Sequence, residues 1–268
     1  MHAVKVASKI LLATSALALL NSPTSATETA PLPSATEGFR YVITPYLWFL
    51  GINGKLDYNN VQRVDTKLND SQLLSTTDIG GMIEGEVHYG RWGVMGNAIY
   101  SKSSSLGSKS YLKDQALTVD SNSNSWMGIY TLAGTYTAVT TPSVYLDVLA
   151  GARFLNINSK TALSASVPNT YTGDRTLYAS VSATDAIGGL KGRARISDTN
   201  FYVPFYVDAG GGSSVAKFTS QQVLGVGYAF EYVDISLVYS NLYYSMNKNQ
   251  VSSYINMSGP ALAATFRF

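Results

Sequence analysis

Any chemistry in this sequence has to start from His88, Glu84 and Glu86. The chain has two histidines and His2 falls within the first 26 residues, so beyond them a Ser-His-Asp relay or a histidine-bound metal has only His88 to use. Glu84 and Glu86 are two residues apart, which on a strand places both carboxylates on one face beside His88, close enough to share a proton or a cation. The competing reading is that arginines across the sheet neutralise the pair, and that His88 is a structural residue facing the interior. Other candidates are weaker. Asp57, Asp65, Asp70 and Asp78 lack the spacing and central glycine of a calcium loop. Gly210-Gly211-Gly212 precedes neither a helix nor a lysine, so it reads as a strand running into a loop and not as a phosphate cradle. With no cysteine there is no thiolate site. The expectation is a protein with no catalytic residues, no metal and no cofactor.

These residues need a scaffold, and the N-terminus says where it is built. Residues 1–26 carry Lys5 and Lys9, an apolar run from Ile10 to Leu20 and the small residues Thr24-Ser25-Ala26, the pattern of an export signal too short to span a bilayer. Removing those two lysines from 19 basic residues leaves 17 against 17 acidic ones, a neutral chain with no electrostatic reason to bind nucleic acid. After Ala26 no stretch approaches the roughly 18 apolar residues of a membrane helix. A chain of this kind crosses a membrane only as a closed sheet, because an open edge in lipid leaves backbone groups unpaired.

Residues 27–38, rich in Pro, Thr and Ala, read as a flexible lead-in. The barrel is expected over 39–268. Its first strand is 39–51, with Arg40 inward and Tyr41, Ile43, Leu47 and Phe49 outward. Hairpins follow at 79–102, 125–157, 185–211 and 222–243, each with a tight turn, and a last strand ends at Phe268. Polar connections at 52–78, 103–123, 158–183, 212–220 and 244–256 read as long loops. The sum is an all-β fold, a closed antiparallel up-and-down transmembrane β-barrel of about ten strands, with eight as the alternative. An even count puts both termini at the short-turn end. Trp48, Trp92, Tyr100, Tyr202 and Tyr232 read as interface anchors.

On this register Glu84, Glu86, Asp147, Asp185, Asp208 and Glu231 point inward with Arg153, Lys191, Arg193, Arg195 and Arg267. Opposite charges in similar numbers within a narrow barrel would pair across it, which predicts a filled lumen.

Several pieces, taken in order along the chain, resemble a family of largely uncharacterised Gram-negative outer-membrane β-barrels. They are Pro45-Tyr46-Leu47-Trp48, Gly90-Arg91-Trp92-Gly93, Gly151-Ala152-Arg153, Asp185 to Gly189 with Gly192-Arg193, Asp208 with Gly210-Gly211-Gly212, and Gly259-Pro260 with the final Phe-Arg-Phe. The chain departs from the family at Ser240, where an arginine usually follows the tyrosine. The resemblance implies an outer-membrane location with periplasmic termini. It further implies that Leu262, Phe266 and Phe268 of the closing strand form the signal read by the barrel-insertion machinery, with outer-membrane lipid and lipopolysaccharide as surroundings and a monomeric state. It brings no agreed activity. A structural or surface-interaction role is expected, with a narrow channel for small solutes as one alternative and an outer-membrane hydrolase using His88 or Glu84 and Glu86 as another.

Overall fold

A computed structural model describes residues 31–33, 38–58, 62–68, 77–111, 117–167, 171–212, 216–248 and 251–268; the expected export signal lies outside them. Among the described residues there are twelve strands: β1 (Phe39–Trp48), β2 (Gly51–Tyr58), β3 (Gln62–Leu68), β4 (Thr77–Tyr89), β5 (Trp92–Tyr111), β6 (Leu117–Thr140), β7 (Val144–Val167), β8 (Tyr171–Arg195), β9 (Phe201–Gly211), β10 (Ala216–Ala229), β11 (Asp234–Lys248) and β12 (Val251–Arg267). β1 and β4 to β12 follow one another around a cylinder. It is closed where β1 pairs antiparallel with β12, from Trp48↔Ala261 to Val42↔Arg267. Backbone bonds between Tyr41 and Phe268, 3.1 and 2.9 Å, finish the seam. The fold is a closed antiparallel barrel of ten strands, and the eight-strand alternative falls away.

The remaining two strands correct the reading of 52–78 as a loop. β2 and β3 form a hairpin that pairs with the far half of β12, from Ser258↔Gly51 to Val251↔Tyr58. The other expected long loops shrink for the same reason, since β5 to β8 pair continuously far past the predicted strand ends. β6 and β7 have 24 residues each and β8 has 25, whereas crossing a bilayer takes about 9–11 tilted residues. Sequence there is rich in Ser, Asn and Thr and carries no period-2 hydrophobicity to mark it as strand.

Within the barrel proper the alternation is inside-out relative to a water-soluble protein. Leu47, Val94, Leu132, Leu224 and Leu237 are exposed outward. At the short-turn end the rings pair up around the rim: Phe39 with Tyr89 at 5.1 Å, Trp92 with Tyr136 at 4.8 Å and Phe201 with Tyr228 at 4.9 Å. An apolar outer band edged by aromatic rings is the surface that lipid demands.

The interior divides in two along its length. Toward the short turns it is polar and charged. Toward the long hairpins it is an apolar core in which Trp48, Ile99, Leu155, Leu242, Tyr244 and Met257 pack against one another from the surrounding walls, each 5 % exposed or less. Ionic side chains are expected throughout the lumen from sequence, and this upper half is apolar instead. Trp48 is also not an interface anchor: its indole N–H donates to the Gly259 carbonyl at 3.1 Å inside the barrel. Tyr202, 1 % exposed, is likewise interior, while Trp92, Tyr100 and Tyr232 are exposed.

Candidate functional site

The polar half of the lumen is built from inward positions on strands that begin or end at the tight turns, and three groups of side chains occupy it. The first lies directly beneath the apolar core. Arg153 on β7 is fully buried and donates to both carboxylate oxygens of Asp208 on β9, with Nη1 3.0 Å from Oδ1. Its remaining N–H groups reach Thr219 at 3.3 Å and Gln221 at 2.8 Å on β10, and Thr131 at 3.3 Å on β6. The Tyr206 hydroxyl and the Gln221 backbone N–H donate to Asp208 as well. One guanidinium thus ties β6, β7, β9 and β10 together across the bore. A planar donor fork against a carboxylate gives the geometric match that a buried charge needs. Asp185, the register partner of Arg153 on β8, is also fully buried.

Close approach of the strands makes room for this arrangement. A Cβ on Gly189 would lie 2.2 Å from the Val207 carbonyl oxygen and 2.8 Å from the Asp208 Cα. Glycine lets β8 lie against β9 where Asp208 must turn inward.

The second group is on the β11–β12 wall. Asp234, buried at the start of β11, accepts from Arg193 Nη1 at 2.5 Å and from Arg267 Nη2 at 2.8 Å. The Arg193 guanidinium also lies over the Tyr202 ring, 4.6 Å from its centre. Asp234 was not among the sequence candidates because it sits where a tight turn becomes a strand, a position that usually faces water. The signal available was parity: two residues before Ser236 and four before Val238, it shares their inward face.

The third group gathers the residues singled out first. Lys191 ion-pairs with Glu86 Oε1 and lies 3.9 Å from Glu84 Oε1. Asn97 donates to Glu84 at 3.3 Å and accepts from the Tyr46 hydroxyl at 3.1 Å. Glu86 Oε2 is 3.0 Å from His88 Nε2. Asp147 is fully buried near this group. The arginine neutralisation expected for the two glutamates is supplied instead by a lysine.

Two expected members are elsewhere. Glu231 is exposed in the turn between β10 and β11, because β10 ends at Ala229 and the chain has already left the barrel wall. Arg195 stays at the rim, where Nε donates to the Thr199 carbonyl at 2.9 Å within its own turn. Arg40, inward as expected, donates to the Gly90 carbonyl at 3.4 Å and the Tyr145 hydroxyl at 3.5 Å. Ser240 is buried and lines the space between the groups.

That space is a cavity of about 200 Å³ bounded by Tyr46, Glu84, Tyr206 and Ser240 among others. Pro33 of the lead-in also lines it, and the adjacent Leu32 is 7 % exposed. Pockets that take up organic ligands run to about 300–1,000 Å³. This one suits a few waters or an ion.

No family model and no curated protein matches the sequence. Solved structures do match in shape. The outer membrane protease OmpT from Escherichia coli superposes with a TM-score of 0.50 at 11 % identity, over 88 % of this chain and all of that one. The translocator domain of the autotransporter NalP from Neisseria meningitidis gives 0.41 at 14 %, over 87 % and 89 %. Ail of Yersinia pestis gives 0.29 at 12 %, over 87 % and 100 %. At 11 % identity the likeness to the protease is one of fold alone, that of an outer-membrane β-barrel.

Proposed function

We propose that this chain is a non-enzymatic outer-membrane barrel with a sealed lumen, whose contacts with the outside are made by its tall hairpins. The observation that carries this reading is the sealed interior. An apolar core fills the hairpin half of the bore, and the fully buried Arg153, locked to Asp208, closes the level beneath it. Ion pathways need continuous polar surface and water, and the apolar segment offers neither. The strands continue past the lipid band by more than the length needed to cross it. That is more structure than a membrane plug requires, and it favours a surface-interaction role.

In this reading the aromatic rim and short turns lie at the periplasmic face with both termini, and the hairpins face outward. The outer band contacts lipid and lipopolysaccharide. Leu262, Phe266 and Phe268 present the closing strand to the insertion machinery, and the barrel is a monomer. The outward exposure of Leu262 and Phe268 supports this use of the strand. Proteoliposome swelling tests the sealed lumen: vesicles carrying the barrel should swell in small sugars no faster than empty ones. Swelling at the rate of a porin control would favour the narrow channel instead.

A further inference from the structure

We infer that Glu86, His88 and Asp147 form a binding site for one divalent transition-metal cation, with zinc as the natural probe. One ligand atom from each residue lies within 4.8 Å of the other two. Ligands around tetrahedral zinc, at about 2.0–2.2 Å from the metal, stand roughly 3.3–3.6 Å apart, so a contraction of about an ångström completes the set. The Glu86 Oε2 to His88 contact, at 3.0 Å, is already inside that spacing.

A second observation, independent of proximity, points to a ligand. Asp147 is fully buried, and neither of its carboxylate oxygens has a hydrogen-bond partner. His88 is 3 % exposed, and its Nε2, beside Glu86, is the ring nitrogen placed to bind. An ionised carboxylate with no donor on either oxygen is among the costliest things a protein interior can hold, and such groups pair or bind metal. Gly93 shapes the site: a Cβ there would lie 2.6 Å from His88 Nδ1, so only glycine lets the imidazole lie over β5 toward Asp147 on β7.

The charges around the site leave room for a cation. Counting the whole polar half, Glu84, Glu86, Asp147, Asp185, Asp208 and Asp234 face Arg40, Arg153, Lys191, Arg193 and Arg267, six carboxylates against five cations, with Arg153, Asp185 and Asp208 together beneath the apolar core. They are not mixed, however. Arg193 and Arg267 share Asp234, and Arg40 turns its Nη2 to a carbonyl and a hydroxyl. Three carboxylates are left with Lys191, which occupies Glu86 Oε1 and leaves Oε2 to the site. Imidazole plus carboxylates is a donor set for zinc and its first-row neighbours and not for calcium or magnesium. The adjoining cavity supplies water for a fourth position. The site is closed to organic substrates by its size, which makes the role structural: the metal would cross-link β4 to β7.

The test uses the full barrel purified without a histidine tag, so that His88 is the only imidazole beyond the leader. After chelator treatment, zinc titration followed by calorimetry and metal analysis should give one zinc per chain. Asp147→Asn and His88→Gln should each weaken binding at least tenfold. Lys191→Met should tighten it about tenfold, because it removes the competing cation, and a mere ion-pair network would not behave so. X-ray absorption of the zinc-loaded wild type should show a single imidazole among oxygen ligands, which keeps the test alive if a variant fails to fold. No zinc uptake by the wild type, undiminished binding in both variants, or an imidazole-free spectrum would overturn the proposal.

Discussion

Breaking the Arg153–Asp208 pair from either side should have unequal costs, and removing both partners should cost little. Both side chains are without solvent contact, so a lost partner is not replaced by water. Truncating one member of such a pair costs about 3–5 kcal/mol, while replacing both with apolar groups is often neutral. In Arg153→Met, Asp208 keeps the Tyr206 hydroxyl and the Gln221 N–H, which puts this variant near the lower end, about 3 kcal/mol. In Asp208→Asn, Arg153 loses the charge of its bidentate partner and is left to the neutral acceptors of Thr131, Thr219, Gln221 and the new amide, which puts it near the upper end, about 5 kcal/mol. Arg153→Met with Asp208→Leu should recover at least about 2 kcal/mol of either loss. The assay is reversible urea unfolding in lipid vesicles followed by tryptophan fluorescence, with band shift on unheated gels as the check of folding. If Arg153→Met lies within about 1 kcal/mol of wild type, or the double variant is worse than both singles, the pair does not organise the interior as described.

Other outcomes follow from the same geometry. Leu224→Arg, on the outward face of β10 where the side chain is 61 % exposed, should cost about 2–4 kcal/mol in lipid; no loss in the same unfolding assay would place that face in water. Gly189→Ala should lose about 1–3 kcal/mol by forcing β8 from β9, and a spectrum and stability equal to wild type would show that the close approach is not needed. Trp48→Phe removes the donor to the Gly259 carbonyl and should cost about 1–2 kcal/mol. Bromide or iodide added to the native barrel should quench Trp92, 70 % exposed, far more than Trp48, 5 % exposed; equal quenching of single-tryptophan variants would contradict the sealed interior.

Much of the barrel was legible because lipid outside and side chains inside impose a strict period of two. Arg40 with Tyr41, Glu86 with Val87 and Tyr206 with Val207 each reveal the wall they belong to. What the period could not show lay where its cause is missing. Beyond the lipid band the sequence no longer alternates apolar with polar, so the extensions of β5 to β8 and the β2–β3 hairpin read as polar loops. The apolar core was missed although Ile99, Leu155 and Leu242 fall inside the strands expected from sequence, because only the charged positions of the inward face marked the lumen. Followed in step, the inward sequence Arg153, Leu155 and Asp185, Ala183 shows the interior changing from ionic to apolar. Turn positions were the other source of error. Glu231 has the composition of a strand residue but lies past the last ladder bond, whereas Asp234 looks like a turn residue and is the buried acceptor of two arginines.

Planar-bilayer recording of the wild-type barrel is the most direct test of the interior described here. With Trp48, Leu155, Leu242 and Met257 packed across the hairpin half and Arg153 held beneath them, inserted protein should add no steps of current in molar salt. Steady, stepwise conductance from the folded wild-type chain would mean that water runs the length of the lumen, and the account of a sealed barrel would be wrong.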